Sequence, residues 1–199
     1  MRRTYSRGTK CGDSACLAAS GDGLSFTSWN DGKPITGRGA DTYNALTYDT
    51  DLAAYILYSR RDYETKHGWR DIRGHRVLLN RNLHKTPGVW EPVKDWFLDL
   101  SGNAESQAHH IYALTSTRLG SLHLGLATIL KYPRDCGEGG LDTTHARHDR
   151  DVSEVHLVTS RNGVHWDLRW IYTAPPLIRR SYCIVGQWLH VCSKSNHHC

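Results

Sequence analysis

The groups in this chain that could move a proton or hold a polar ligand stand at the boundaries of short apolar runs. Asp41 stands two positions ahead of the run 43–49, Asp62 follows Arg60 and Arg61 at the end of the next run, and Glu105 lies in a Gly/Asn/Ser-rich stretch. His109 and His110 open a later run. Asp41 is either a site carboxylate or the ordinary Asx residue of a turn entering a strand. Asp62 is either a functional acid or the ion-pair partner of its neighbouring arginines. Glu105 fits a solvated loop acid better than a catalytic one. Strand alternation sends His109 and His110 to opposite faces, where an imidazole either meets a polar ligand or is satisfied in a core. Asp142, His145, His148 and Asp149 have an H-x-x-H look, but in a polar loop without cysteines at zinc-finger spacing, so no metal is assigned.

The elements that must position these groups are strands. The run 43–49 is followed by the polar break Asp49-Thr50-Asp51, then by 54–60, by 75–79 and by a fourth run at 89–93. Short runs rich in Tyr, Ile, Leu and Val between turn residues predict an antiparallel meander. The same order returns at 110–115, 122–130 and 152–159. The last of these ends in Ser160-Arg161-Asn162-Gly163 before Trp166, repeating Ser20-Gly21-Asp22-Gly23 before Trp29. In both turns the Asx side chain is expected to pin the backbone. Trp29, Trp90 and Trp166 mark the fourth element of each unit, and their recurrence predicts packing between units. Trp69 and Trp96 fall outside that pattern and are the candidates for exposed stacking platforms.

A four-stranded unit cannot bury both of its faces alone, so repeated units stack radially about an axis. The expectation is therefore an all-β chain forming a partial β-propeller of about two to three four-stranded antiparallel blades. Residues 1–15 form a disordered start, 16–40 half a blade, 41–98 and 109–174 two blades, and 181–199 an irregular tail foreign to the repeat. Seven tryptophans against two phenylalanines and one methionine fit such aromatic-lined strands.

A net charge of +5 is spread along the chain without a basic stripe, so nucleic acid is not an expected partner. No apolar run approaches the ~18 residues of a membrane span. The six cysteines stand at no C-x-x-C spacing and leave both a disulfide framework and free thiols open. No apolar signal segment follows Met1-Arg2-Arg3. A secreted location for a longer version stays open.

Three stretches carry a family resemblance: the Ser-x-Asp-Gly turn before a Trp strand, Asp41-Thr42-Tyr43-Asn44 leading to Tyr55-Ile56-Leu57-Tyr58-Ser59-Arg60, and 155–166, Val-His-Leu-Val-Thr-Ser-Arg-Asn-Gly-Val-His-Trp. Over residues 16–180 the chain resembles the five-bladed propeller glycosidases of glycoside hydrolase families 32 and 43. That resemblance implies a carbohydrate ligand, no cofactor, and a central funnel where one carboxylate protonates the leaving oxygen and a second acts as base or nucleophile. It implies Asp41, Glu105 and Asp62 as the catalytic carboxylates. Asn44, Arg60, Arg61, His109, His110 and Trp69 would bind substrate. The Trp-x-Asn-Asp-Pro-type opening of family 32 is missing, and histidines stand where a later Glu belongs. The alternative reading is a non-catalytic propeller module that binds a glycan or a protein.

Overall fold

The computed structural model describes residues 11–39, 43–63, 72–96, 109–131, 152–185 and 188–191. They form antiparallel β-sheets, none of which closes on itself. A two-residue hairpin pairs β1 (Ala18–Ala19) with β2 (Thr27–Ser28). The turn between them is held by Asp22, whose Oδ1 accepts from the backbone N–H of Leu24 and Ser25 and from Ser20 Oγ. Those backbone donors hold the Asp22 carboxyl well below the usual carboxylate range.

The first large sheet is a meander of four strands: β3 (Ala45–Asp49), β4 (Ala54–Tyr63), β5 (Ile72–Asn80) and β6 (Glu91–Trp96). The second begins the same way, with β7 (His109–Leu119), β8 (Leu122–Lys131) and β9 (Val152–Ser160) in consecutive antiparallel order. Its next position departs from the repeat. The far edge of β9 is shared by β10 (Trp166–Asp167) and, after the one-turn helix α1 (Trp170–Thr173), by β11 (Ile178–Val185). The fourth strand expected at Trp166 is thus a two-residue piece, and β11 completes the edge from beyond the expected blade limit. The tail expected to be irregular from 181 instead continues β11 and carries β12 (Trp188–Val191), paired antiparallel to it. The apolar alternation Tyr182, Ile184 and Leu189, Val191 suits a hairpin, and the cysteine-rich composition hid it.

The two sheets pack face to face. Ile56, Tyr58, Val77 and Leu79 of the first meet Ile111, Leu114, Ala127, Ile129, Val158 and Trp166 of the second in one buried cluster. Each fully buried aliphatic side chain of this kind contributes about 1.5–3 kcal/mol. The opposite face of the first sheet presents Leu57 and Leu78 to Ala15, Leu17, Ile35 and Leu83. The 11–39 segment is therefore a covering layer, held together internally by Ile35 N–H to the Ala15 carbonyl and Trp29 N–H to the Leu17 carbonyl. A disulfide between Cys11 and Cys16 closes its start.

Contacts at both ends fix the relative direction of the sheets. Near the start of β3, His75 lies across from Arg60, and its Nε2 donates to the carbonyl of Tyr112 early in β7. At the other end Asp49, the last residue of β3, meets His123, which lies across from Arg118 late in β7. Strands β3 and β7 therefore run the same way in neighbouring layers.

Candidate functional site

The structure distributes the expected site residues unevenly. Asp41, Trp69 and Glu105 lie outside the described residues. The backbone of Asp62 is in β4 opposite Arg73, and that of His109 opens β7 opposite Lys131; the described residues do not extend to their side chains. Asn44 stands just ahead of β3 with both ends of its amide committed: Nδ2 donates to the Gly39 carbonyl and Oδ1 accepts from Ser59 Oγ. It organises the entry to the strand. Arg60 is fully buried, whereas the next residue, Arg61, is exposed. His110 is buried and lies in register with Leu130, on the face turned away from the first sheet. Asn44, Arg60 and His110 thus share one end of the stacked sheets, with the guanidinium and imidazole withdrawn from solvent. Trp96 is part of β6, opposite His75, rather than outside the repeat.

Two clusters of chemically capable residues escaped the sequence reading. The first joins the sheets at the far end of β3. Asp49, 1% exposed, accepts from His123 Nε2 at 2.9 Å, and Ser116 Oγ lies 3.4 Å from His123 Nδ1. This is the order of a Ser-His-Asp triad, but its surroundings make it a latch. Asp49 Oδ1 is consumed by the backbone N–H of Asp51 and Leu52, which shapes the β3–β4 turn. The serine contact is longer than a working nucleophile–base pair, and the imidazole packs edge-on against buried Trp166. Arg118 extends the latch outward to Thr50, Asp51 and Asp49. Beside it, burial holds the Tyr58 phenol protonated, and its hydroxyl donates to the Gly163 carbonyl at 2.6 Å.

The second cluster lies on β9. Glu154 and His156, both about 98% buried, face the same side two residues apart, with His156 Nε2 3.1 Å from Glu154 Oε2. Arg179, directly across on β11, brings its Nε within 3.4 Å of Glu154 Oε1. The Arg179 guanidinium and the His156 ring N–H give this carboxylate the partners it needs when buried.

A concave feature lies on the opposite side of the first sheet. Residues Pro34 to Gly37 of the covering layer, Arg76 and Leu78 of β5, and Trp90 and Pro92 at the edge strand bound a cleft of about 360 Å³. Local sequence explains its shape. Pro92 lies on the edge strand β6, where a missing N–H is tolerated. A register shift at Val77/Leu78 marks a bulge that bends the strand floor. Thr36 Oγ1 accepts from the Ala15 N–H and donates to the Gly37 carbonyl, which fixes the rim. The indole N–H of Trp90 is spent on the Pro87 carbonyl, so the indole offers its apolar surface to the cleft. Arg76 Nη2 lies 3.7 Å from where a Cβ on Gly37 would stand, so the guanidinium borders a wall free of side chain. An aromatic ring and a half-buried cation thus border one cleft. The local signals for it were the Pro87-Gly88 and Pro92 breaks on either side of Trp90, with Pro34 far earlier in the chain.

Among the described residues no group of three metal-ligating side chains converges. The chain matches no family model, no curated protein and no solved structure.

Proposed function

We propose that this chain is a non-catalytic β-sheet module that binds carbohydrate in the cleft between Trp90 and Arg76. The cleft carries the reading. One sugar ring places its apolar C–H face on the indole, and its hydroxyl or carboxylate oxygens accept from the Arg76 guanidinium. The volume lies at the small end of ligand sites, which suits one or two sugar rings held weakly. The resemblance to propeller glycosidases is supported by two successive meanders stacked with their first strands in the same direction, as neighbouring blades about a common axis would be.

A glycoside hydrolase using Asp41, Glu105 and Asp62 is the second reading. The shared direction of β3 and β7 favours it, because it sets the starts of both strands, next after Asp41 and Glu105 in the chain, at one end.

Titration of the full chain with neutral and uronate mono- and disaccharides, followed by tryptophan fluorescence, separates the two. The module reading predicts saturable quenching at millimolar sugar, weakened about tenfold, or roughly 1.4 kcal/mol, in Trp90→Ala. It also predicts unchanged affinity in Asp41→Asn and no release of phenol from aryl glycosides. Absence of binding rejects the cleft; turnover abolished by Asp41→Asn establishes the hydrolase.

A further inference from the structure

We infer that the cleft between Trp90 and Arg76 continues over Gly88 into a second subsite made by Asn30, Trp29 and His84, so that its ligand is a linear oligosaccharide. The inference rests on the carbohydrate reading of the cleft and adds the length of the ligand to it. Gly88 lines the cleft and is exposed. Among the described residues, the one atom within 4 Å of where a Cβ on Gly88 would stand, its chain neighbours aside, is Asn30 Nδ2 at 3.5 Å. The wall is low at this point, and a side-chain amide stands next to it. The chain turns sharply there, with φ of 56° at Asn30 and 54° at Asp31, a conformation that Asn and Asp tolerate better than most residues.

The polar groups of this corner are unspent. Asn80 commits both ends of its amide, to the Thr86 carbonyl and the Asn82 N–H, and Asn44 does the same at the entry to β3. Among the described residues, neither end of the Asn30 amide has a hydrogen-bond partner, nor has the Trp29 indole N–H or the His84 ring. A side-chain amide donates and accepts at once, which matches two neighbouring hydroxyls on a sugar ring, and the indole N–H supplies a further donor. Trp29 is half-buried and His84 exposed, with ring centroids 5.2 Å apart and planes at 48°, so aromatic surface for the C–H face of a sugar stands beside the amide. Asp31 and Lys33 pair with each other, which leaves hydroxyl-bearing rings rather than an ion as the fitting occupant. At about 360 Å³ the cleft has little room beyond its first ring or two, so a longer chain leaves where the wall is lowest.

Titration of the full chain with the same neutral and uronate sugars as length series, from one ring to four, tests it. Affinity should rise about tenfold between one ring and three. Asn30→Gly, which keeps the left-handed backbone open to it, combined with His84→Ala should remove that rise while leaving one-ring affinity within about twofold of native. In the native chain, one ring should shift the indole N–H resonance of Trp90 alone, and three rings those of Trp90 and Trp29. That second readout decides the matter whether or not the variant folds. One-ring binding at Trp90 with no gain on lengthening, and with Trp29 silent, overturns the second subsite and leaves the cleft standing. An equal loss at every length in the double variant would place Asn30 and His84 in the first site and overturns the inference as well. Absence of binding by every member of both series rejects the cleft and the subsite together.

Discussion

His75 shows how burial turns a common residue into a pH-dependent one. It is fully buried, and loss of water pushes its imidazole from 6.5 down to about 4. The Tyr112 carbonyl opposes that shift and the neighbouring Arg60 charge adds to it. The unfolded imidazole takes up a proton below about 6.5, the folded one only near 4, so between those values the unfolded state binds more protons. The stabilisation is complete above 6.5 and is lost as pH falls toward 4, by roughly 3 kcal/mol at most. Urea denaturation of the native chain and His75→Asn across pH 7.5 to 4 should show a steeper acid loss in the native chain. Equal slopes would mean that His75 is hydrated. The residue also illustrates the limit of reading single side chains from sequence. His75 sits in an apolar run and looks like any strand residue, and nothing local shows that its ring reaches the next sheet. Asn44 and Arg60 were found for their types, but their hydrogen bonding and burial depend on Gly39, Ser59 and a second layer distant in sequence.

At the scale of elements, the meander 45–96 and the strands of 109–160 were legible because alternation and turn chemistry are local. Both Ser-x-Asx-Gly turns behave as their residue types dictate: Asn162 Oδ1 accepts from the N–H of Val164 and His165, as Asp22 does in the first hairpin. What sequence did not convey was the split last position of the second sheet. Trp166 was the marker for a full strand, yet Asp167 turns the chain into α1, accepting from the Arg169 N–H. The strand resumes only at Ile178, after Pro175-Pro176. Trp166 instead fills the space between sheets, over Gly125. A Cβ on Gly125 would stand 2.6 Å from Trp166 Cζ3 and 2.9 Å from the Thr115 carbonyl. The indole could shift, but the carbonyl belongs to the paired strand and cannot. Gly125→Ala should cost about 1–3 kcal/mol and alter tryptophan emission by displacing Trp166. Native stability and an unchanged spectrum would show that the ring does not lie there.

For the whole molecule, the organising relation is the stacking of two antiparallel sheets in the same sense, with residues 11–39 covering the outer side of the first. Apolar side chains between the sheets supply the stabilisation, while the Asp49–His123 and His75–Tyr112 contacts fix direction and register. Sequence periodicity pointed to repeated units but not to the order of layers, since a strand's alternation does not say which sheet its apolar face will meet. The cleft between Trp90 and Arg76 belongs to the side of the first sheet that residues 11–39 cover. The most direct measurement is the nuclear Overhauser pattern of the uniformly labelled chain. The Tyr58 and Trp166 rings lie 6.0 Å apart between centroids, edge to face, although 108 positions separate them. The account predicts cross-peaks between the Tyr58 ring and the Trp166 indole, together with cross-peaks from His75 to Tyr112. Their absence, or cross-peaks placing His75 against the Leu119–Leu122 turn, would contradict the stacking and the shared strand direction.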